Sequence, residues 1–449
     1  MRIAIAPEVL PPKQDGVTID LSRLVAHLSG RGHSLLLLGP SYSSPSLHGV
    51  RVLRAPSFPI GLYPGLHFSV LSPGLAVSLY QFRPDVLLVV DPFFLGAQAL
   101  AFAALLLPGT RLVAAHCTNV PFYTEVFGHA GVAPGEWTYL RRAHSLCART
   151  IVRSESSKGA LCRMGGFDVA RMRVWRAGVD SERFCPGRRC ETWRRRCCNG
   201  DVRCEGGTAT RKLEFVSDSP CRVLLYVGRV SWEKNIGALL DLAAALKKPG
   251  RRPPVRLVIV GDGPAVTEFF SLLDKQGSRD VVTYLGWLSG DELAAAYASS
   301  DVFVCPSVSE TMGNVVVEAM AAGLPVVAFD SEGVRDSVLH NETGILVPGL
   351  DGLEGEAAAN VEKWVRASVD LVHDHKRAKA MGLRARERVV GWTMEKSLES
   401  CERIFLEVSK PRPSVADMHH EARSDLPPSD SVQSRTRRQT VRVASRRGF

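Results

Sequence analysis

Two carboxylates eight residues apart, Glu310 and Glu318, stand in the segment Ser309-Glu-Thr-Met-Gly313-Asn-Val-Val-Val-Glu318-Ala-Met-Ala-Ala-Gly323-Leu-Pro325. The first falls in a loop and the second inside a helical pattern otherwise made of Val, Ala and Met. A charged Glu318 among such neighbours is costly unless hydroxyls or cations pair with it; the alternative is a place on the exposed stripe. Arg229 and Lys234 lie five residues apart in Tyr226-Val-Gly228-Arg-Val-Ser-Trp-Glu-Lys234-Asn. Arg supplies planar paired donors and Lys a mobile point charge, a combination suited to a diphosphate, or else two solvated loop charges. Gly16 ends the turn Glu8-Val-Leu-Pro-Pro-Lys-Gln-Asp-Gly16. There it either brings helix-start N–H groups up to an anion or opens an ordinary βα loop. Gly261, in Ile259-Val-Gly-Asp-Gly-Pro264, makes a tight strand-to-helix turn but lacks the full G-x-G-x-x-G of a dinucleotide site. His116 closes the apolar run Ala114-Ala-His, where it is a structural or a catalytic candidate.

These turns share one kind of position. Arg2–Ala6, Ser34–Leu38, Asp85–Val90 and Arg111–Ala115 are apolar runs of strand length, and the pattern restarts with Arg222–Val227, Val255–Val260, Val281–Tyr284, Val302–Val304 and Val326–Phe329. Helical patterns alternate with them: Ile19–Leu28, Ile236–Leu246, Ala265–Gln276, Asp291–Ala298 and Asn314–Ala322. Near-continuous Val/Leu/Ile strands separated by helices predict parallel sheets covered on both faces. Two such series predict an α/β protein of two doubly wound, Rossmann-like domains facing a cleft, with ligands at the carboxyl ends of the strands. The expected boundaries are 1–184 for the N-terminal domain, 185–217 for a Cys/Arg-rich inserted surface loop, 218–409 for the C-terminal domain and 410–449 for a disordered basic tail.

Composition narrows the classes. The 449 residues carry 56 Lys+Arg against 46 Asp+Glu, a net charge of +10. The insertion contributes +4 and the tail +5, so the two domains are left near neutral at +1. No aromatic platform or known motif supports nucleic-acid binding. One basic cluster survives within the domains: residues 135–176 carry +6, interleaved with Trp137, Leu140, Leu146 and Trp175. It suggests an anionic membrane surface as a partner, against a solvated face balanced by acids elsewhere. An odd count of eleven cysteines, five of them within residues 185–204 and the rest scattered, with no secretory h-region and no apolar stretch of spanning length, predicts a cytoplasmic chain, soluble or peripheral on a membrane. The spacing Cys190-x6-Cys-Cys-x5-Cys204 lacks the C-x2-C pairs of a zinc site.

Taken together, the Glu310–Glu318 segment, Gly228-Arg-Val-Ser-Trp-Glu-Lys-Asn, Val260-Gly-Asp-Gly-Pro, Arg176-Ala-Gly-Val-Asp-Ser-Glu-Arg-Phe-Cys-Pro and His116-Cys-Thr-Asn resemble the retaining glycosyltransferases of family 4, which have the GT-B fold. The likeness runs in order from residue 1 to about 408, broken by the insertion. The Pro-Lys-Gln-Asp-Gly-Val turn and Tyr284-Leu-Gly-Trp-Leu are most similar to GDP-mannose-dependent α-mannosyltransferases and plant-type sulfoquinovosyltransferases. The resemblance implies a nucleotide sugar on the C-terminal domain and a lipid or glycan acceptor largely on the N-terminal one. It assigns Arg229 and Lys234 to the diphosphate, Gly16 to the distal phosphate and Glu318 to the ribose hydroxyls. Glu310, with the N–H groups of Met312, Gly313 and Asn314, would hold the transferred sugar, and His116 would touch it near the reacting carbon. Gly261 belongs to the donor-binding turns. The implied reaction is a front-face transfer with retention, needing no metal and no cofactor. GDP-mannose is the lead donor, UDP-sulfoquinovose with diacylglycerol the alternative, and nucleotide-sugar epimerisation the competing reaction on the same fold. The segment Val152-Arg-Ser-Glu-Ser-Ser departs from the family by its polarity where many relatives begin with Pro-Ser.

Overall fold

Strands whose central members are buried along nearly their whole length build two large sheets. In the computed structural model, residues 1–13, 15–60, 67–126, 128–199, 221–248, 253–350 and 354–409 are described. The N-terminal strands are β1 (Arg2–Pro7), β2 (Ser34–Pro40), β3 (Ser46–Leu47), β4 (Val50–Ala55), β5 (Ser57–Pro59), β6 (His67–Ser69), β7 (Val86–Val90), β8 (Arg111–His116), β9 (Arg149–Val152) and β10 (Met172–Val174). Eight of them form one sheet in the order β10-β9-β8-β7-β1-β2-β4-β3, while β5 and β6 pair as a hairpin. Every pair in the large sheet is parallel except β3–β4. The second sheet holds β11 (Arg222–Val227), β12 (Val255–Val260), β13 (Val282–Gly286), β14 (Val302–Cys305), β15 (Val326–Phe329) and β16 (Gly344–Val347), ordered β13-β12-β11-β14-β15-β16 and wholly parallel.

The helices of the first half are α1 (Gly16–Gly30), α2 (Pro73–Phe82), α3 (Leu95–Leu106), α4 (Val120–Val126), α5 (Ala133–Ser145) and α6 (Glu155–Met164). Those that follow are α7 (Glu191–Asn199), α8 (Gly237–Leu246), α9 (Val266–Lys275), α10 (Gly290–Ala298), α11 (Asn314–Ala321), α12 (Glu332–Ser337), α13 (Glu354–His373), α14 (His375–Val389) and α15 (Met394–Ser409). One face of the first sheet packs Ile3, Ile5 and Leu88 against Leu21, Leu24, Val25 and Leu28 of α1; the other packs Ala4, Leu87 and Val89 against α2, α3 and α5. The second sheet is sandwiched likewise, by α10, α11 and α14 on one face and α8, α9 and α13 on the other.

Strand order reverses at two places. Chain direction diverges between β1 and β7 in the first sheet and between β11 and β14 in the second. At such switch points successive crossovers leave toward opposite faces, so the loops after the strands part and leave a crevice. The loops that part at the second switch point are those carrying Lys234 and Glu310.

Two expected boundaries change. Residues 191–199, read as surface loop, form α7 on the second sheet, with Cys197 buried and Trp193 packed against the same core. Arg194 makes this fit: it donates to Ser299 O and Cys221 O and to Asp301 Oδ2, each at 2.7 Å. A guanidinium is tolerated there because a carboxylate and carbonyls meet its N–H groups. Residues 200–217 of the insertion, and the 410–449 tail, lie outside the described residues. The last helix also crosses back. Leu398, Cys401, Ile404, Phe405 and Val408 of α15 bury a stripe at helical spacing against α1 and the first sheet, so residues 394–409 complete the N-terminal core. Glu402 secures it, accepting from His27 at 2.8 Å and His33 at 3.0 Å.

Candidate active site

Lys234 ends a short 3-10 turn after β11, and Asn235 leaves that turn in the left-handed region at φ 54°. The Asn235 amide donates to Pro306 O at 3.0 Å, tying this loop to the one after β14. Across the join, Lys234 Nζ donates to Glu310 Oε1 at 2.7 Å, with about a fifth of each side chain exposed (21% and 18%). Burial disfavours both charges, but each supports the other. Against that burial, Lys234 and a Ser307 hydrogen bond hold the Glu310 carboxyl below the usual carboxylate range, and Glu310 holds the Lys234 ammonium well above its ordinary value.

The backbone around the pair is fixed by close approaches. Gly313 caps α11 at φ +71°, a conformation that costs an L side chain about 1–2 kcal/mol. Gly333 N donates to Glu310 O at 2.6 Å, and a Cβ on Gly333 would sit 2.3 Å from Met312 N. The segments that follow β8 and β9 of the first sheet hold the same stretch from the other side. Tyr123 Oη meets Ser309 Oγ at 3.3 Å, Thr311 Oγ1 donates to Cys117 O at 2.7 Å, and Ser157 Oγ donates to Thr311 O at 3.3 Å.

Opposite stands the start of α1. Asp15 and Thr18 form a reciprocal capping box, Thr18 N donating to Asp15 Oδ1 at 2.9 Å and Asp15 N to Thr18 Oγ1 at 3.0 Å. Geometry leaves the N–H groups of Gly16 and Val17 without an intrahelical acceptor. Asp15 Oδ2 also lies 3.8 Å from Lys13 Nζ and 3.9 Å from Arg229 Nη2. Two cations and a helix N-terminus thus converge on one carboxylate, an arrangement with positive charge in excess that suits a phosphate. The nearest heavy atom to a Cβ built on Gly16 is Asn314 Nδ2 at 3.8 Å, so the α1 and α11 N-termini face each other.

Glu318, one turn into α11, takes a hydrogen bond from Tyr297 Oη at 3.0 Å. This is the hydroxyl partner its apolar helix demands. Burial dominates nevertheless and raises its pKa to about 7, opposed by Tyr297 and Arg23.

Two family profiles cover the chain. That described as Glycosyltransferase Family 4 matches residues 15–183, and that described as Glycosyl transferases group 1 matches residues 211–388. A GDP-mannose-dependent alpha-mannosyltransferase of Mycobacterium tuberculosis is 33% identical over 400 residues, covering 87% of this chain and 92% of the relative. The chain belongs to the family 4 glycosyltransferases. A sulfoquinovosyl transferase of Arabidopsis thaliana is 30% identical over 86% of this chain and 69% of its own length. Among solved structures, Anabaena HepE in complex with UDP matches with a TM-score of 0.66 at 19% identity, over 91% of this chain and all of that one (100%). Sucrose-phosphate synthase from Thermosynechococcus elongatus matches at 0.69 and 19%, over 91% and 98%. The fold is GT-B.

The glycosyltransferase brings Gly16, Arg229, Lys234, Glu310, Met312, Gly313, Asn314 and Glu318 to one cleft, but places two expected residues differently. His116 ends β8 as expected, yet the residue is only 4% exposed, with the Trp137 and His144 rings each 6.3 Å from its own on the α5 side. Burial lowers its pKa to about 4, so it is neutral at pH 7 and offers a ligand almost no surface in this conformation. Gly261 is a packing position. At φ +129° a Cβ there would lie 1.9 Å from Gly228 O, and one on Gly263 would lie 2.3 Å from Val230 O. The turn therefore lies directly under the Gly228–Val230 loop and sets the course of Arg229. Within the 135–176 cluster, Leu140 and Trp175 are buried while Leu146 is exposed, and Arg149 and Arg173 share Glu407 of α15 at 2.5 and 2.9 Å. Among the described residues, no helix is long and apolar enough to cross a membrane.

The supporting residues Tyr297, Gly333 and Tyr123 escape sequence reasoning, because each is defined by a partner far along the chain; Ser307 is only three residues from Glu310, but its type alone does not mark it as that carboxylate's partner. Only the apolar setting of Glu318, which calls for a hydroxyl, pointed toward one of them.

Proposed function

We propose that this glycosyltransferase moves a hexose, with mannose from GDP-mannose the lead, to a hydroxyl of a lipid or glycan acceptor with retained configuration. The observation that carries the reading is the Lys234–Glu310 pair at the α11 N-terminus, opposite the cation-flanked start of α1. The names of the GDP-mannose-dependent relatives support the donor. In the reaction the anomeric C–O bond to the diphosphate breaks and a bond to the acceptor oxygen forms. The acceptor's proton passes to the departing phosphate on the same face. Arg229, Lys234 and the N–H groups of Gly16 and Val17 stabilise the charge that builds on that phosphate, a preorganised electrostatic effect. Glu310 and the N–H groups of Met312, Gly313 and Asn314 hold the sugar hydroxyls. Glu318 accepts from the ribose.

A metal is not required on this reading, since Arg229 and Lys234 supply the positive charge at the leaving group. Turnover lost to EDTA and restored by Mg²⁺ would contradict that. The donor is tested by incubating the enzyme with GDP-mannose, UDP-sulfoquinovose or other UDP-sugars, with and without lipid extract. Acceptor-dependent release of GDP is the expected result. UDP release with diacylglycerol would instead make it a sulfoquinovosyltransferase, the reading that the Arabidopsis relative supports. Free UDP and a rearranged sugar without any acceptor would mark an epimerase. Membrane association of the N-terminal half is part of the proposal only for a lipid acceptor; equal sedimentation with neutral and anionic vesicles would remove its electrostatic basis.

A further inference from the structure

The polar segment after β9 has no part in the reaction as proposed, yet it places an arginine deep between the two halves. Arg153 is 4% exposed. Its guanidinium lies 4.2 Å from the centre of the Trp175 ring, and Trp175 is itself held by Ser397, to which its indole donates at 3.1 Å. Arg153 Nη2 donates to Asp20 Oδ2 at 2.5 Å. The same oxygen accepts from Asn314 Nδ2 at 3.1 Å, and Arg23 stands 3.8 Å from Asp20 Oδ1. Asp20 belongs to α1 and Asn314 opens α11, so one carboxylate oxygen joins the two helix N-termini that face each other across the cleft.

The surroundings argue for position over stability. Arg153 Nη1 and Asn314 Oδ1 are buried with no hydrogen-bond partner among the described residues. A buried ionic N–H left unpaired costs stability, and a hydrophobic residue beside Trp175 would avoid that cost. What the charge supplies is a fixed rotamer for Asp20. A carboxylate held on a stacked guanidinium cannot swing away from Asn314.

We propose that Arg153 and Asp20 are positioning residues, forming a bridge from the N-terminal domain that holds Asn314 and with it the α11 N-terminus in register for the donor sugar. The inference rests on α11 being the sugar-side wall. Without the bridge, the first turn of α11 with Met312, Gly313 and Asn314 samples more orientations, while Glu318, anchored a turn further on by Tyr297, and Arg229 and Lys234, on another loop, still hold the nucleotide. Loss of the bridge therefore slows transfer more than it weakens nucleotide binding, a split that a general loss of structure would not produce.

The test compares wild type with Asp20→Ala, Arg153→Ala and Arg153→Lys. Hydrogen–deuterium exchange of a peptide spanning 310–322, affinity for GDP as the probe, and turnover are read together. Asp20→Ala and Arg153→Ala are expected to exchange at 310–322 about fivefold faster and to lose about tenfold in kcat, with GDP affinity changed by less than about threefold. Arg153→Lys, which keeps a cation near Asp20, is expected to stay within about threefold of wild type in kcat. Should Arg153→Ala fail to fold, Asp20→Asn serves: it keeps an acceptor for Asn314 but no charge for Arg153, and its exchange should fall between those of wild type and Asp20→Ala. Unchanged exchange at 310–322 in Asp20→Ala, or a loss of GDP affinity as large as the loss of kcat, overturns the proposal. If wild type binds no GDP and transfers no sugar, the functional reading fails, and the exchange result still decides whether the bridge exists.

Discussion

Glu310 and Glu318 are both partly buried and belong to one signature, yet the structure drives their acidities apart. Glu310 lies in a loop and meets a cation, Lys234, which keeps it ionised. Glu318 lies inside α11 and, among the described residues, meets only a phenol at hydrogen-bond distance, Tyr297, so burial prevails and its pKa rises to about 7. The contrast shows what each can do. A carboxylate already paired with a cation is a fixed anchor for sugar hydroxyls. One that is neutral half the time near pH 7 gains most when hydroxyls arrive to donate to it.

The largest effects test the anchored side. Lys234→Ala and Glu310→Ala should each lower turnover about 100-fold or more with the far-ultraviolet spectrum unchanged, since about 2.7 kcal/mol of transition-state stabilisation is typical of one preorganised electrostatic group. Near-normal turnover in either variant would remove the pair from the mechanism. Gly313→Ala comes next. It forces a side chain into the left-handed cap, and an activity loss of about tenfold with a lowered Tm is expected; an unaffected variant would mean that the cap's geometry is not critical.

The Glu318 side predicts a pH dependence. Hydroxyl donors favour the ionised form, so nucleotide affinity should rise by several-fold as pH increases through about 7, and Glu318→Gln should flatten that rise. Stability runs the other way. Because the folded-state pKa is raised, the unfolded chain binds fewer protons between about 4.5 and 7, and Glu318 subtracts stability as pH rises through that window. Thermal melts of Glu318→Gln should show a weaker decline there than wild type. The smallest effect is expected at His116. Its buried, neutral ring acts as packing on the α5 side, and His116→Asn should reduce turnover less than about tenfold; a loss matching that of Lys234→Ala would restore it to the reacting centre.

The parts of the fold readable from sequence were those where one residue class dominates. Val/Leu/Ile runs marked β1, β2, β7, β8 and most of the second sheet, because strands buried on both faces admit little else. Arg149–Val152 does not read as a strand from sequence: it is short, and only Ile151 and Val152 in it are apolar. α7 is hidden because Trp-Arg-Arg-Arg-Cys-Cys reads as surface, and partners a hundred residues on or nearly thirty away, Asp301, Ser299 and Cys221, are what make Arg194 a core residue. The return of α15 to the first sheet was equally invisible, since its apolar stripe predicts burial without saying against what. The site divides along the same line. Lys234, Glu310 and the glycine turns could be read from type and spacing, whereas Asp20, Tyr297 and Gly333 are identified only by partners that folding brings near.

Titration of the two carboxyls is the most direct test of the central claim, that one signature supplies an ionised anchor and a poised acceptor. The enzyme labelled with ¹³C at Glu carboxyls, with Glu310→Gln and Glu318→Gln for assignment, would be titrated with and without GDP. The account predicts a Glu310 midpoint below the ordinary carboxylate range in both states, and a Glu318 midpoint near 7 that falls when GDP binds. Two carboxyls with the same midpoint, or a Glu318 midpoint indifferent to GDP, would contradict it.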